Sequence, residues 1–436
     1  MAPTLDTVPF STADIRAAIP PHCFKRSVAT SLYYASRDVA LLLLFGYCAT
    51  FISGAAASAG AAAAPWGELA GTAASLVVRA ALWALYWAAS GCVATGLWMI
   101  GHECGHGAFS EYESLNFVVG LFTHSSLLVP FSAWALTHSR HHKFTNSIED
   151  DEPFVPATRA SYLSRRMFGS LVESGAFSGV SLLLMLVFGW PLYLTIDFGG
   201  PAKHSRKGRS VDHFSPWSVH FDKLNARQTA AIVVSTAAIA AAIGAIVFCS
   251  VHFGIAAVCA YYVVPLLIVN AHLVTITFLQ HNHAGVPHLK GKSFNWLRGA
   301  LCTIDRSWGP LRDHLFHHIS DTHVVHHLFH ELPFYNAVEA TAAVRELLGP
   351  HALRDDTPIG VALWREFHEC KFSEEMLGGE PGVEWMRSLQ DAKHGRAGVP
   401  LEPVRPLAPH TFSTKESKAA RYDSEKQVRA RSTKRA

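Results

Sequence analysis

Eight histidines fall into three short clusters: His102-Glu-Cys-Gly-His106, His138-Ser-Arg-His141-His142 and His323-Val-Val-His326-His327. In a helix, positions i, i+3 and i+4 share one face, so each cluster can aim its imidazoles at one point. Imidazole binds zinc, copper, iron or nickel. One zinc ion takes three or four protein ligands, so eight or nine nitrogens suit two ions of about four to five ligands each. The chain holds 26 histidines, concentrated in patches with long histidine-free stretches between them.

Other residues bear on this chemistry. His281 and His283, in Leu-Gln-His-Asn-His, follow an apolar run, and His314, His317 and His318 precede the third cluster. A ninth ligand is expected among these, His281 first and His317 next. Single histidines in apolar runs (His124, His252 and His272) read as structural. Glu103 and Asp321 are placed to hydrogen-bond the outer nitrogens of ligand rings, a common support for bound metals. Cys104 reads as a packing residue, and the acidic run Glu149-Asp150-Asp151-Glu152 as a solvated loop. Trp296, Trp308, Phe334 and Tyr335 are candidates to line an apolar tunnel or to fill the core. The first cluster also fits the HExxH pattern of zinc peptidases, with Glu103 as general base. That reading leaves the two HxxHH clusters without a role.

The histidines need elements to hold them. Half of the residues are hydrophobic and 16% are charged, against about 25% in soluble domains. Apolar runs occur at about 39–59, 74–100, 115–131, 178–198, 229–250 and 255–276. A spanning helix needs about 20 such residues. Basic residues flank 178–198 on both sides: Arg140, Lys143, Arg159, Arg165 and Arg166 before it, and Lys203, Arg206, Lys207, Arg209, Lys223 and Arg227 after it. Lys and Arg gather on the cytoplasmic side, so 178–198 should not cross, and 115–131 follows the same logic. Both are expected to be in-plane or re-entrant. The expected fold is all-α: four transmembrane helices in two hairpins, with both termini cytosolic and a cytosolic helical cap over the metal site. The expected organisation is a cytosolic segment at 1–38, a membrane domain at 39–350, a helical segment at 351–402 and a disordered basic tail at 403–436. Eight dispersed cysteines without a CxxC pair read as reduced thiols. No cleaved signal peptide is expected, and the net charge of +3 gives no reason to expect nucleic acid.

A site beside long apolar helices points to a lipid substrate. Breaking an unactivated C–H bond needs a redox metal and O₂, which zinc does not activate. The motifs HECGHGAFS at 102–110, HSRHHKFTNSIEDDEPFVP at 138–156 and DTHVVHHLFHELPFYNAVEAT at 321–341 resemble the membrane fatty acid desaturase family, and its Δ12 (oleate) branch in particular. AIPPHCFKRS at 18–27, GWPLYL at 189–194 and FLQHNHAGVPH at 278–288 are similar to that branch too. The resemblance covers about residues 12–350. It implies a non-haem centre of two irons held by His102, His106, His138, His141, His142, His323, His326 and His327. It further implies O₂ as co-substrate, oleoyl-phospholipid as substrate and an endoplasmic reticulum membrane, and it leaves room for a homo-oligomer. Electrons would come from cytochrome b5 and its reductase, as separate proteins, because no HPGG haem motif occurs. Relatives with the same boxes act at the ω-3 (Δ15) position or hydroxylate at Δ12, so those outcomes stand as alternatives.

Overall fold

The computed structural model describes residues 9–153, 155–164, 175–205, 208–376 and 378–388. The expected tail at 403–436 lies outside them. Helix α1 (Thr12–Ala18) starts where Ser11 and Asp14 form a capping box and stops before Pro20-Pro21. Helices α2 (Val28–Ala49) and α3 (Ile52–Ala63) form one long apolar arm. A turn at Gly67 (φ 118°) reverses the chain into α4 (Glu68–Gly105). A side chain at Gly71 would lie 2.9 Å from the Gly60 carbonyl, so only glycine lets α3 and α4 approach this closely. At 38 residues, α4 is about 57 Å long, longer than a bilayer core. Only one residue is buried before Ser90, whereas nearly all of 90–104 are. The first part of α4 is exposed, and its end is wrapped by protein.

Helices α5 (Glu113–Ser125) and α6 (Phe131–Phe144) form a shorter hairpin. Thirteen residues rise about 20 Å, too little to span. Its tip is fixed where Tyr262 donates to the Ser126 carbonyl at 2.8 Å. Next come α7 (Arg159–Ser164), α8 (Gly175–Ile196), α9 (Ala202–Ser205) and α10 (Ala226–Phe253). Helix α11 (Ile255–Val258) continues through one π turn into α12 (Val264–His281). Among the described residues, five stretches are long and apolar enough to cross a membrane: 28–66, 68–105, 177–196, 226–253 and 255–281. Sequence reading expected four, because it set α8 aside on loop charge. By length and composition alone α8 qualifies, although Pro191 lies inside it.

The polar remainder forms α13 (Trp296–Leu301), α14 (Pro310–Leu315), α15 (His323–Leu328), α16 (Ala337–Leu348) and α17 (Ile359–Glu369). It also forms a small antiparallel sheet, ordered β1-β3-β2, from β1 (Pro287–Leu289), β2 (Phe372–Glu375) and β3 (Val383–Arg387). The expectation of an all-α chain is corrected here: the fold is mostly helical with one sheet. Strands this short carry no readable alternation, and β1 pairs with a partner nearly a hundred residues away, with Leu289 opposite Val383. All eight cysteines are free, as expected of reduced thiols.

Arg306 ties the end of α12 to α17. Its side chain is 1% exposed; it donates to the Leu279 carbonyl at 2.8 Å and to Glu366 at 3.2 Å, and it pairs with Asp355. Removing one partner of a buried pair costs about 3–5 kcal/mol. Because Arg365 also reaches Glu366, at 2.7 Å, Arg306→Met should lose about 3 kcal/mol, the low end of that range. Thermal unfolding in detergent would show it, and an unchanged midpoint would refute it.

Candidate metal centre

Four elements bring imidazoles together. Helix α4 carries His102 in its last turn and ends on His106 as its cap. Helix α6 carries His138, His141 and His142, and α15 carries His323, His326 and His327. The last residue of α12 is His281. Two groups result. In the first, His102, His106, His138, His142 and His326 each offer a ring nitrogen within 4.8 Å of the others. In the second, His141, His281 and His327 do the same, and His323 Nε2 lies 3.1 Å from His281 Nε2.

The second and third clusters are therefore split, whereas sequence reading aimed each at one point; the first, His102 and His106, stays together. A helix turns 100° per residue, so His138 and His142 nearly coincide in direction while His141 points elsewhere. His138 and His142 feed the first group and His141 the second. In α15 the division is reversed: His326 joins the first group, and His323 and His327 the second. The groups touch where the rings of His142 and His327 stack 4.1 Å apart at 10°.

Their spacing fits a metal. Nε2–Nε2 distances are 3.3 Å for His102–His106, 3.2 Å for His138–His142 and 3.1 Å for His142–His326. The His141–His281 pair is 3.3 Å apart. Metal–imidazole bonds of about 2.0–2.1 Å put neighbouring ligand nitrogens about 3 Å apart. Five of the rings are also held neutral. Burial, and then neighbouring imidazoles, push His138, His142, His323, His326 and His327 well below the usual histidine range. Neutral imidazole is the form that ligates.

Neighbours select which nitrogen is free. His141 Nδ1 donates to Asp151 Oδ1 at 2.7 Å, which leaves Nε2 for the group. Thr145 Oγ1 donates to the His141 carbonyl at 2.6 Å, so it accepts from His327 Nδ1 at 3.0 Å and frees His327 Nε2. Asp151 and Glu152 are 5% and 4% exposed, so the acidic run is only half a solvated loop. Burial pushes the Asp151 carboxyl up, with His141 pulling the other way. Losing such a support typically costs 10–100-fold in metal affinity or activity. Asp151→Asn keeps the shape but not the charge, and should lose about that much product per unit of protein; wild-type output would show that Asp151 does not support His141.

The other expectations fare unevenly. Glu103 Oε1 lies 3.6 Å from His102 Nδ1, too far for a hydrogen bond, and Oε2 accepts from the Phe334 N–H at 3.1 Å. Asp321 meets His318 Nδ1 at 3.1 Å and makes no hydrogen bond to His323. His317 Nε2 is turned to Asp38 at 2.7 Å and joins neither group. His124, His252 and His272 meet the Trp98 carbonyl, the Phe248 carbonyl and Thr95 Oγ1 through one ring nitrogen each, and His124 Nδ1 is buried without a partner. Cys104 packs with Ile100, Phe109 and Phe131. Sequence reading gave no role to His330, whose ring stacks 4.9 Å from His106 at 18°. Its i+4 spacing from His326 was the available signal.

An apolar cavity reaches both groups, touching His102 and His138 on one side and His141, His281 and His323 on the other. Trp98, Trp134 and Trp190 wall it, together with Val274 and Thr277 of α12. None of the four aromatics that sequence left open between tunnel and core lines it. Trp296 instead donates to the His142 carbonyl at 3.2 Å, and Trp308 packs on Phe316. Phe334 lies behind Glu103, and the Tyr335 hydroxyl accepts from the Ser27 N–H at 2.6 Å.

Residues 81–358 match the family model for fatty acid desaturases. A Delta(12)-acyl-lipid-desaturase of Punica granatum is 41% identical over 87% of this chain and 91% of its own length. An omega-6 fatty acid desaturase, endoplasmic reticulum isozyme 1, of Glycine max is 39% identical over 87% and 91%. An oleoyl-12-hydroxylase of Ricinus communis is 39% identical, again over 87% and 91%. Matched along most of its length by such proteins, and across its histidine-bearing core by the family model, the chain belongs to the fatty acid desaturase family.

Proposed function

We propose that this oxidoreductase converts oleoyl to linoleoyl chains by inserting a cis double bond at Δ12. The observation that carries the reading is that one apolar cavity meets both histidine groups. The position of the bond rests on the Δ12 relatives. His102, His106, His138, His142 and His326 would hold one non-haem iron, and His141, His281, His323 and His327 the other. Bound iron supplies the O₂-dependent removal of two hydrogens from adjacent carbons, with two electrons and two protons completing two waters. Cytochrome b5 and its reductase are the proposed electron source, and oleoyl-phospholipid the substrate.

The protein's own contribution is position and dryness. The tryptophan walls orient the chain past both groups and keep water out. Asp151 and Thr145 hold His141 and His327 in the tautomers that ligate. Glu103 braces the loop at Phe334. Its oxygens lie on the Nδ1 side of His102, away from Nε2, where a peptidase base would have to act.

The proposed setting is the endoplasmic reticulum membrane, with both termini and the metal centre cytosolic. The arm α2–α3 with α4, and α10 with α11–α12, form two spanning hairpins. Helix α8 lies in-plane: Gly189 rests on Val274, Leu182 packs near Leu363 of α17, and Asp197 ends beside the loop that follows α6. A glycosylation site engineered into 199–228 that becomes glycosylated would overturn this topology.

Expression in yeast that makes oleate but no linoleate tests the reaction, read by gas chromatography of total fatty acids. Linoleate is expected. Ricinoleate or α-linolenate as the main new product would replace Δ12 desaturation by hydroxylation or ω-3 desaturation.

A further inference from the structure

A second buried cluster lies apart from the nine imidazoles. After α8 the chain turns at Asp197 (φ 55°) and folds back against the loop that follows α6. Glu152, His204 and His220 meet there, each with a ligand atom within 4.8 Å of the others. They are 4%, 4% and 1% exposed.

The hydrogen bonds fix which atoms face inward. His204 Nδ1 lies 2.8 Å from Asp197 Oδ2 and donates to it. His220 Nε2 lies 3.1 Å from the Val211 carbonyl, which can only accept, so it donates there. The remaining nitrogens, His204 Nε2 and His220 Nδ1, then present lone pairs towards Glu152 Oε2, at 3.9 and 3.2 Å. Three lone-pair atoms facing one another in a dry site repel unless something positive stands between them. A proton on His220 would settle one pair and leave His204 Nε2 facing only acceptors. A divalent cation settles all three.

The set also has the build of a metal site. Two imidazoles and one glutamate form a known zinc donor set with a fourth position open. Distal ring N–H groups given to a carboxylate and to a backbone carbonyl are the usual outer support of such ligands. Arg140 occupies the other oxygen of Glu152, Oε1, at 2.9 Å, and so leaves Oε2 free for the site. His213 is fully buried, neither of its ring nitrogens has a hydrogen-bond partner, and its ring centre is 4.3 Å from that of His220.

We propose that Glu152, His204 and His220 bind a zinc-class divalent cation as a structural site separate from the two histidine groups. Glu152 follows Asp151, which holds His141. A cation drawn onto Glu152 therefore clamps His204 and His220 against the backbone that positions a ligand of the second group.

The test uses the full-length protein purified in detergent after growth with zinc and iron. Its metals are counted by mass spectrometry, and its zinc environment is read by X-ray absorption. About one zinc per chain is expected to survive dialysis, with nitrogen and oxygen neighbours at about 2.0–2.1 Å. The double variant His204→Asn/His220→Gln should lose that zinc and keep the iron. His326→Ala should lose iron and keep the zinc, which separates this site from zinc misplaced in the histidine groups. A wild type without retained zinc, a double variant with undiminished zinc, or zinc that vanishes with His326 would each overturn the proposal. If the double variant does not fold, the wild type still decides: chelation should lower its unfolding temperature and added Zn²⁺ restore it, and no shift would refute the site.

Discussion

Replacing His326 by alanine is expected to abolish linoleate formation and to strip iron from the protein while leaving it folded. His326 Nε2 lies 3.1 Å from His142 Nε2, and its ring sits 4.6 Å from that of His102, so it closes the first group from the side opposite α6. Four imidazoles would remain, but with one coordination position opened to solvent. Changing an outer support of a metal ligand costs about 10–100-fold, so removing a ligand itself should exceed about 100-fold. Gas chromatography of the yeast lipids, iron content and circular dichroism together check it. A folded variant with full iron and undiminished product would remove His326 from the metal centre.

Thr277→Trp is expected to be nearly as damaging, by a different route. Thr277 lines the apolar cavity on α12, one helical turn before His281. An indole there fills the space in which an acyl chain would lie and leaves the histidines untouched. Misplacing a reacting group by about 1 Å can cost about 100-fold, and a chain shut out should lose at least about that much. Iron should stay at the wild-type level, so the two variants separate metal binding from substrate access. Undiminished product would place the acyl chain elsewhere.

Much of this was legible in the sequence because helical spacing and apolar length act locally. The eight clustered histidines all reach the two groups, and His281 could be preferred because it follows a spanning run so closely. The partition between groups was not legible. It depends on how α6 and α15 are rotated against each other, which packing sets and spacing does not. Nor could the acidic run disclose that Asp151 and Glu152 turn inward while Glu149 and Asp150 remain outside. Asp321 was chosen for its nearness in sequence to His323, yet a partner two residues away in the chain can point off the helix altogether. The aromatic wall was not legible for a similar reason. Trp98, Trp134 and Trp190 sit on three different helices and share a surface only after folding.

The length of α4 has a mechanical consequence. One continuous rod runs from the exposed turn at Gly67 to His102. Whatever tilts its outer half also acts on its inner end, and for a rod of about 57 Å a few degrees of tilt means several ångströms at the tip. A bilayer that thickens or thins tilts the helices that cross it. The encased stretch from Ser90 to Cys104 is therefore a bearing as well as a core, holding the metal-binding end still while the other end follows the membrane. The composition of the surrounding lipid, which this enzyme itself alters, becomes a load on its own active site.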